Sequence, residues 1–207
     1  MITRNSIIPV KPIVAIVFIL FFYKGYSQRT KEYNECAIER LNENDFQGAI
    51  YYFSRIIEMN PKDSNAYFDR AMIKKQINDL AGAIADFSKA IENDNKNADN
   101  YFLRAMTKDE LKDYKGALAD YDAMILLEQE NPDAYFFRGR DKFFLHDFNG
   151  ALSDYDEAIV LNSNRPQYYL NRAELKLTMG QKKEGCEDLK VYKRLGGESN
   201  ELEKKCN

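Results

Sequence analysis

The sequence predicts an all-α protein built as a solenoid, one small helical unit stacked on the next. Three columns of residues, each stepping by 34 along the 207-residue chain, carry that reading. The first is a hexad. Asp45-Phe46-Gln47-Gly48-Ala49-Ile50 returns as Asp79-Leu80-Ala81-Gly82-Ala83-Ile84, as Asp113-Tyr114-Lys115-Gly116-Ala117-Leu118 and as Asp147-Phe148-Asn149-Gly150-Ala151-Leu152. The second joins an aromatic (Tyr33, Tyr67, Tyr101, Tyr135, Tyr169) to a small residue one helical turn later (Ala37, Ala71, Ala105, Gly139, Ala173). The third is Phe53, Phe87, Tyr121 and Tyr155, closed by Leu189. Self-similarity at a fixed period, without insertion, is what a stack of supersecondary units leaves in a sequence.

These columns resemble the tetratricopeptide repeat: aromatic, small residue, then Ala and Phe, then Pro. The closing proline stands only at Pro61, with Asn95, Gln129 and Ser163 in its later places. The resemblance spans about residues 30–195. It implies a right-handed superhelical solenoid of about five helix-turn-helix units, whose first helices line a concave groove. The partner it implies is a protein or peptide; the fold alone says nothing narrower.

Taken in order, residues 1–27 differ in kind from the rest. Arg4 and Lys11 precede an apolar run over 12–23, and Gly25 and Ser27 follow it. That pattern reads as a secretory signal cleaved near Gln28, which places the mature chain outside the cytoplasm, periplasmic or extracellular. The run is short for a bilayer span; the alternative is an anchor over residues 7–23. A membrane partner is expected only if that segment is retained. The units are then 30–63, 64–97, 98–131, 132–165 and 166–195, with a short cap over 196–207.

The second unit shows the reasoning. Ser64 caps helix A over Asn65 to Ile77, with Tyr67, Phe68, Ala71 and Met72 at helical steps. Asp79 caps helix B, from about Leu80 to Asn93, with Ala83, Ile84, Phe87, Ala90 and Ile91 on one face. Gly48, Gly82, Gly116 and Gly150 fall in the first turn of each helix B. Glycine there costs ~0.5–1 kcal/mol against alanine, so a close crossing of helix A is expected to require it. The fifth unit departs: Gln181, Glu184 and Gly185 stand for Asp, Gly and Ala. A terminal repeat, with no outer neighbour, is expected to be atypical.

The charges also follow the period. Helix A carries Arg70, Arg104, Arg138 and Arg172, and one turn on Lys74, Lys108, Lys142 and Lys176. Helix B carries Asp86, Asp120, Asp154 and Asp188. In the first unit these positions hold Cys36 and Tyr52, so Arg and Asp are lost together. A structural ion-pair ladder across the A/B seam accounts for that better than a basic groove for an anionic ligand.

Little in the chain suggests catalysis. The one histidine, His146, sits in an inter-helix turn, and no phosphate loop, metal-ligand cluster or nucleophile set is present. We therefore expect no enzyme, cofactor, metal site or small-molecule substrate. Without residues 1–27 the chain holds 27 basic and 33 acidic side chains, a balance that disfavours nucleic acid. By the resemblance, the groove residues include Phe68, Met72, Phe102, Met106, Phe136, Arg140 and Phe143. The same Phe and Met side chains are equally suited to packing between units. Family members that grip a C-terminal carboxylate use Lys, Asn and Arg here. This chain has Asn34, Ile38, Asp69, Asp99 and Leu103, so that activity is not expected. The runner-up to a protein-binding module is a structural subunit that assembles with itself or with a cell-envelope complex.

Three cysteines remain. Cys186 and Cys206 lie ten residues either side of Gly196. A tail that folds back at Gly196-Gly197 brings them level, and a disulfide is expected. Cys36, in the arginine column far along the stack, is expected to be a buried free thiol.

Overall fold

In the computed structural model, which describes residues 12–198 and 201–206, ten helices follow one another without a strand among the described residues. They are α1 (Pro12–Asn42), α2 (Phe46–Met59), α3 (Ser64–Gln76), α4 (Leu80–Asn93), α5 (Ala98–Glu110), α6 (Tyr114–Leu127), α7 (Pro132–Phe144), α8 (Phe148–Leu161), α9 (Pro166–Thr178) and α10 (Lys182–Arg194). A 3-10 turn over Glu201–Lys205 follows. Each helix packs chiefly on its predecessor and its successor, and the antiparallel pairs stack into a right-handed solenoid.

The helix starts show how the sequence writes the fold. Asp45, Asp79, Asp113 and Asp147 each accept a hydrogen bond from the amide of the glycine three residues on, at 2.9–3.0 Å. That caps a helix and places a negative charge at its positive end. The glycine column follows from the cap and not, as expected, from a crossing helix. A Cβ on Gly82 would lie 2.1 Å from the Oδ2 of its own capping Asp79, and Gly116 and Gly150 are alike. The neighbouring alanines mark the crossing instead: Ala49, Ala83, Ala117 and Ala151 have no exposed surface. Ala117 packs with Ala105 of the facing helix. In the fifth pair Gly185 takes that role, and a Cβ there would crowd Leu177 and the Ala173 carbonyl.

The second cap is corrected by one residue. Asp63 caps α3 by accepting from Ala66, whereas the Ser64 hydroxyl donates 2.9 Å across the stack to the Ala90 carbonyl. Helix A therefore starts at Ser64 and ends at Gln76. Each A-to-B turn places one residue in the left-handed region: Asn44, Asn78, Lys112, His146 and Gly180. These too step by 34. His146 is thus a turn residue, exposed, with its ring edge on Phe148.

The proposed leader falls partly outside the described residues, which begin at Pro12. From Pro12 the backbone runs as a single helix through Gln28 into the first repeat. No helix among the described residues is long and apolar enough to cross a membrane. At the other end α10 stops at Arg194, Gly196 turns with φ +88°, and the tail returns. Cys186 and Cys206 are joined by a disulfide with Cα atoms 5.7 Å apart. Cys36 is free but half-buried, not fully buried as expected.

Candidate functional site

The seam between helices A and B holds the charge ladder. Arg70, Arg104, Arg138 and Arg172 each grip one aspartate of their own unit through two nitrogens. Nε meets Oδ2 at 2.8–3.0 Å and Nη2 meets Oδ1 at 2.5–2.7 Å, on Asp86, Asp120, Asp154 and Asp188. Two features were not foreseen. The lysine column joins the same carboxylates: Lys74, Lys108, Lys142 and Lys176 lie 2.7–2.8 Å from Oδ2. The remaining guanidinium nitrogen, Nη1, reaches back to the preceding unit's helix B, to Ser54, Ser88, Asp122 and Asp156. That last column also steps by 34, so the period could have revealed it. Each arginine also lies over the tyrosine three residues before it, 5.5–5.9 Å from the ring centre.

The ladder thus ties units together as well as closing each one. Burial opposes the charge on Arg138, but the hydrogen bonds and charges of Asp154 and Asp122 outweigh it and raise its pKa. These cations are committed to the interior. No basic groove is left for an anionic ligand on this seam.

The concave side is uneven along its length. At the α1 and α3 end it is open. A groove of about 1050 Å³ is lined by Ile38, Met72, Phe68, Asp69 and the amides of Asn34 and Asn65. Ile38 is 55% and Met72 is 40% exposed. Phe68 sets its edge on Phe87 and leaves one side to the groove.

Toward α5, α7 and α9 the face is filled. Phe102 packs against Phe137 and Tyr121, Phe143 against Phe148, and Phe144 stacks on Tyr114. Phe136 is only 9% exposed, between Tyr155 and Tyr168, and belongs to the core. It is withdrawn from the partner-contact set. Met106 is half-buried. Arg140 lies over the Phe137 ring and forms an ion pair with Asp109 of α5, so it too is occupied within the fold.

Around Arg140 lies a polar network that no repeat predicts. The Asp109 side chain is 8% exposed and receives the Tyr121 hydroxyl at 2.8 Å as well as Arg140. Asp141 has no exposed surface. Neither of its oxygens, nor Asp109 Oδ1, has a hydrogen-bond donor among the described residues. Its nearest cation is Arg140, 3.8 Å away. Burial, then the charge of Asp109, push the Asp141 carboxyl up to about 8. Burial and Asp109 likewise raise the Tyr121 phenol. The two buried acids therefore titrate as a pair, and at neutral pH the Asp141 side keeps a proton because burial and the nearby Asp109 charge disfavour a second anion. The signal in the sequence was a break in period. Ile73, Thr107, Asp141 and Leu175 share one register, and Lys75, Asp109, Phe143 and Leu177 another.

No ion-binding cluster of His, Cys, Asp or Glu is present among the described residues.

Comparison with known proteins agrees with this geometry. The family model described as Tetratricopeptide repeat matches residues 37–98. No curated protein matches. Among solved structures, a tetratricopeptide repeat protein from Parabacteroides merdae ATCC 43184 is 19% identical with a TM-score of 0.78, over 86% of this chain and 71% of that one. MamA protein is 17% identical with a TM-score of 0.76, over 82% of this chain and 92% of that one. YrrB, a tetratricopeptide protein with an unusual peptide-binding site, is 16% identical with a TM-score of 0.71, over 82% and 91%. The 34-residue columns, the family model matched over residues 37–98 and these structures together show tetratricopeptide repeats in this chain and a shared helical-solenoid fold.

Proposed function

We propose that this chain is a non-enzymatic protein-interaction module whose α1/α3 groove holds an extended segment of another protein. The observation that carries it is the exposure of Ile38 and Met72 beside the side-chain amides of Asn34 and Asn65, which line the same groove. An extended segment presents bare backbone N–H and C=O groups, and an amide can both donate and accept. A helix has satisfied those groups already. The peptide-binding site of YrrB supports the same reading by likeness of fold. The Cys186–Cys206 disulfide fits an oxidising compartment, and non-reducing peptide mapping of the native chain checks it.

A photo-crosslinking amino acid at Met72 of the full chain tests the docking site in cells. We expect it to trap a defined segment of a second protein, identified by mass spectrometry, and Ile38→Glu to abolish the adduct without lowering Tm. Adducts that persist unchanged in Ile38→Glu overturn the reading.

One observation favours assembly as the second reading. Leu126 and Val160 are 78% and 77% exposed on the B helices, in the register that holds Glu58 and Glu92 earlier. A discrete oligomer by light scattering, dispersed by Leu126→Glu with Val160→Glu, would establish it.

A further inference from the structure

The groove residues also carry charge, and the balance is one-sided. Lys31 shares the register of Asn65, Arg140 shares that of Met72, and Lys75 itself lines the groove, so helix A presents these three cations to the concave side. Each is already held by an acid. Lys31 lies 3.7 Å from Glu35, Lys75 forms an ion pair with Glu110 of the next unit, and Arg140 pairs with Asp109. The ladder lysines and arginines face the seam and are spent on buried aspartates. What remains on the concave side is acidic. Asp69 lines the groove, Asp99 shares the register of Asn65, and Glu174 shares that of Met72. None of the three meets a cation among the described residues, and burial followed by the charge of Asp63 holds the Asp69 carboxyl above its ordinary range.

Resting on the docking reading above, we infer that the segment held in the groove is apolar and cationic: hydrophobic side chains seated on Ile38, Phe68 and Met72, flanked by Lys or Arg that meet Asp69 in the groove and Asp99 on the adjoining helix. Two physical arguments converge on this. The half-buried Asp69 carboxylate, which meets no cation among the described residues, is a liability that an incoming cation relieves, because the pair forms where water is already displaced; the exposed Asp99 adds like charge nearby. A segment bearing Asp or Glu would bring like charges together at short range, which rejects it. Lysine or arginine also brings an aliphatic stem that lies along an apolar floor while its charged head reaches the rim.

A random dodecapeptide library displayed on phage, selected on the full chain and counter-selected on Met72→Ala, reads out the preference directly. We expect the enriched peptides to combine Leu, Ile or Phe with two or more Lys or Arg and to carry net positive charge. A synthetic peptide from that pool should bind about tenfold more weakly to the Asp69→Asn, Asp99→Asn variant, and the loss should shrink as salt rises. The variant's unchanged melting temperature reports that it folds. Enriched peptides that depend on Met72 but are neutral or acidic overturn the charge inference and leave the docking site standing. A pool with no dependence on Met72 overturns the docking site itself, and this inference with it.

Discussion

Two sets of buried aspartates in this chain have opposite electrostatic circumstances. Asp86, Asp120, Asp154 and Asp188 repeat at the A/B seam, each held by one arginine and one lysine. Asp109 and Asp141 occur once, between α5 and α7, and share a single arginine. Burial alone does not decide what an aspartate does; the number of donors aimed at it does. Two cations and several N–H groups make a buried carboxylate tolerable. Half a guanidinium does not, so a proton supplies the missing donor. The ladder is a joint that repeats with the fold. The pair is a local departure, placed where the concave face changes from open to filled.

Breaking the ladder should have the largest effect. Asp120→Ala strips Arg104 and Lys108 of their acid while leaving both less than a fifth exposed. We expect a loss of about 3–5 kcal/mol in denaturant unfolding. A loss below 1 kcal/mol would mean that the seam is hydrated and the ladder is ornamental.

The pair should reveal itself through pH. Between the ordinary aspartate range and about 8, Asp141 is protonated in the folded chain and ionised in the unfolded one. The folded state then binds more protons, so stability falls as pH rises through that window, by at most about 1.4 kcal/mol per unit. Asp141→Leu, which restores the residue found in register at Leu175, should flatten the curve and be the more stable protein at pH 8. Parallel curves for the two proteins would remove the shared proton.

Tyr121→Phe sharpens the same comparison at smaller scale. It deletes the donor to Asp109 without changing the ring packing, and about 1–3 kcal/mol should be lost. Smallest of all should be Asp122→Ala. Its carboxylate meets Arg138 from a position 58% exposed, and exposed pairs are worth about 0–1 kcal/mol. An effect as large as that of Asp120→Ala would show that the inter-unit contact, not the intra-unit one, holds the stack.

Much of this was legible in the sequence, for a stated reason in each case. The helices and caps were readable because an N-cap and its glycine interact over three residues, a local rule the period repeats. The arginine and aspartate columns were readable because they disappear together at Cys36 and Tyr52. The disulfide was readable from symmetric spacing about a turn. By contrast, the reason for the glycines was misread, since only coordinates show the capping carboxylate folded over the Cα. Phe136 was misread too: periodicity locates a residue on a helix face but not how far the next unit covers it.

What the sequence by itself determined is the one-dimensional order: five pairs of helices, their limits to within a residue or so, their apolar faces and the columns that pair across them. These depend on contacts between near neighbours or between identical registers of adjacent units, which a fixed period encodes. The tertiary structure decided what depends on distance between unlike registers. It left the groove open beside Ile38 and Met72 and filled it beside Phe102 and Phe137. It set Lys75 on Glu110 and Arg140 on Asp109, so that neither cation meets Asp69 in the groove. It brought Asp141 beside Asp109 with too few donors for two charges. Hydrogen bonding and desolvation act over a few ångströms, and no spacing along the chain reports which side chains come that close.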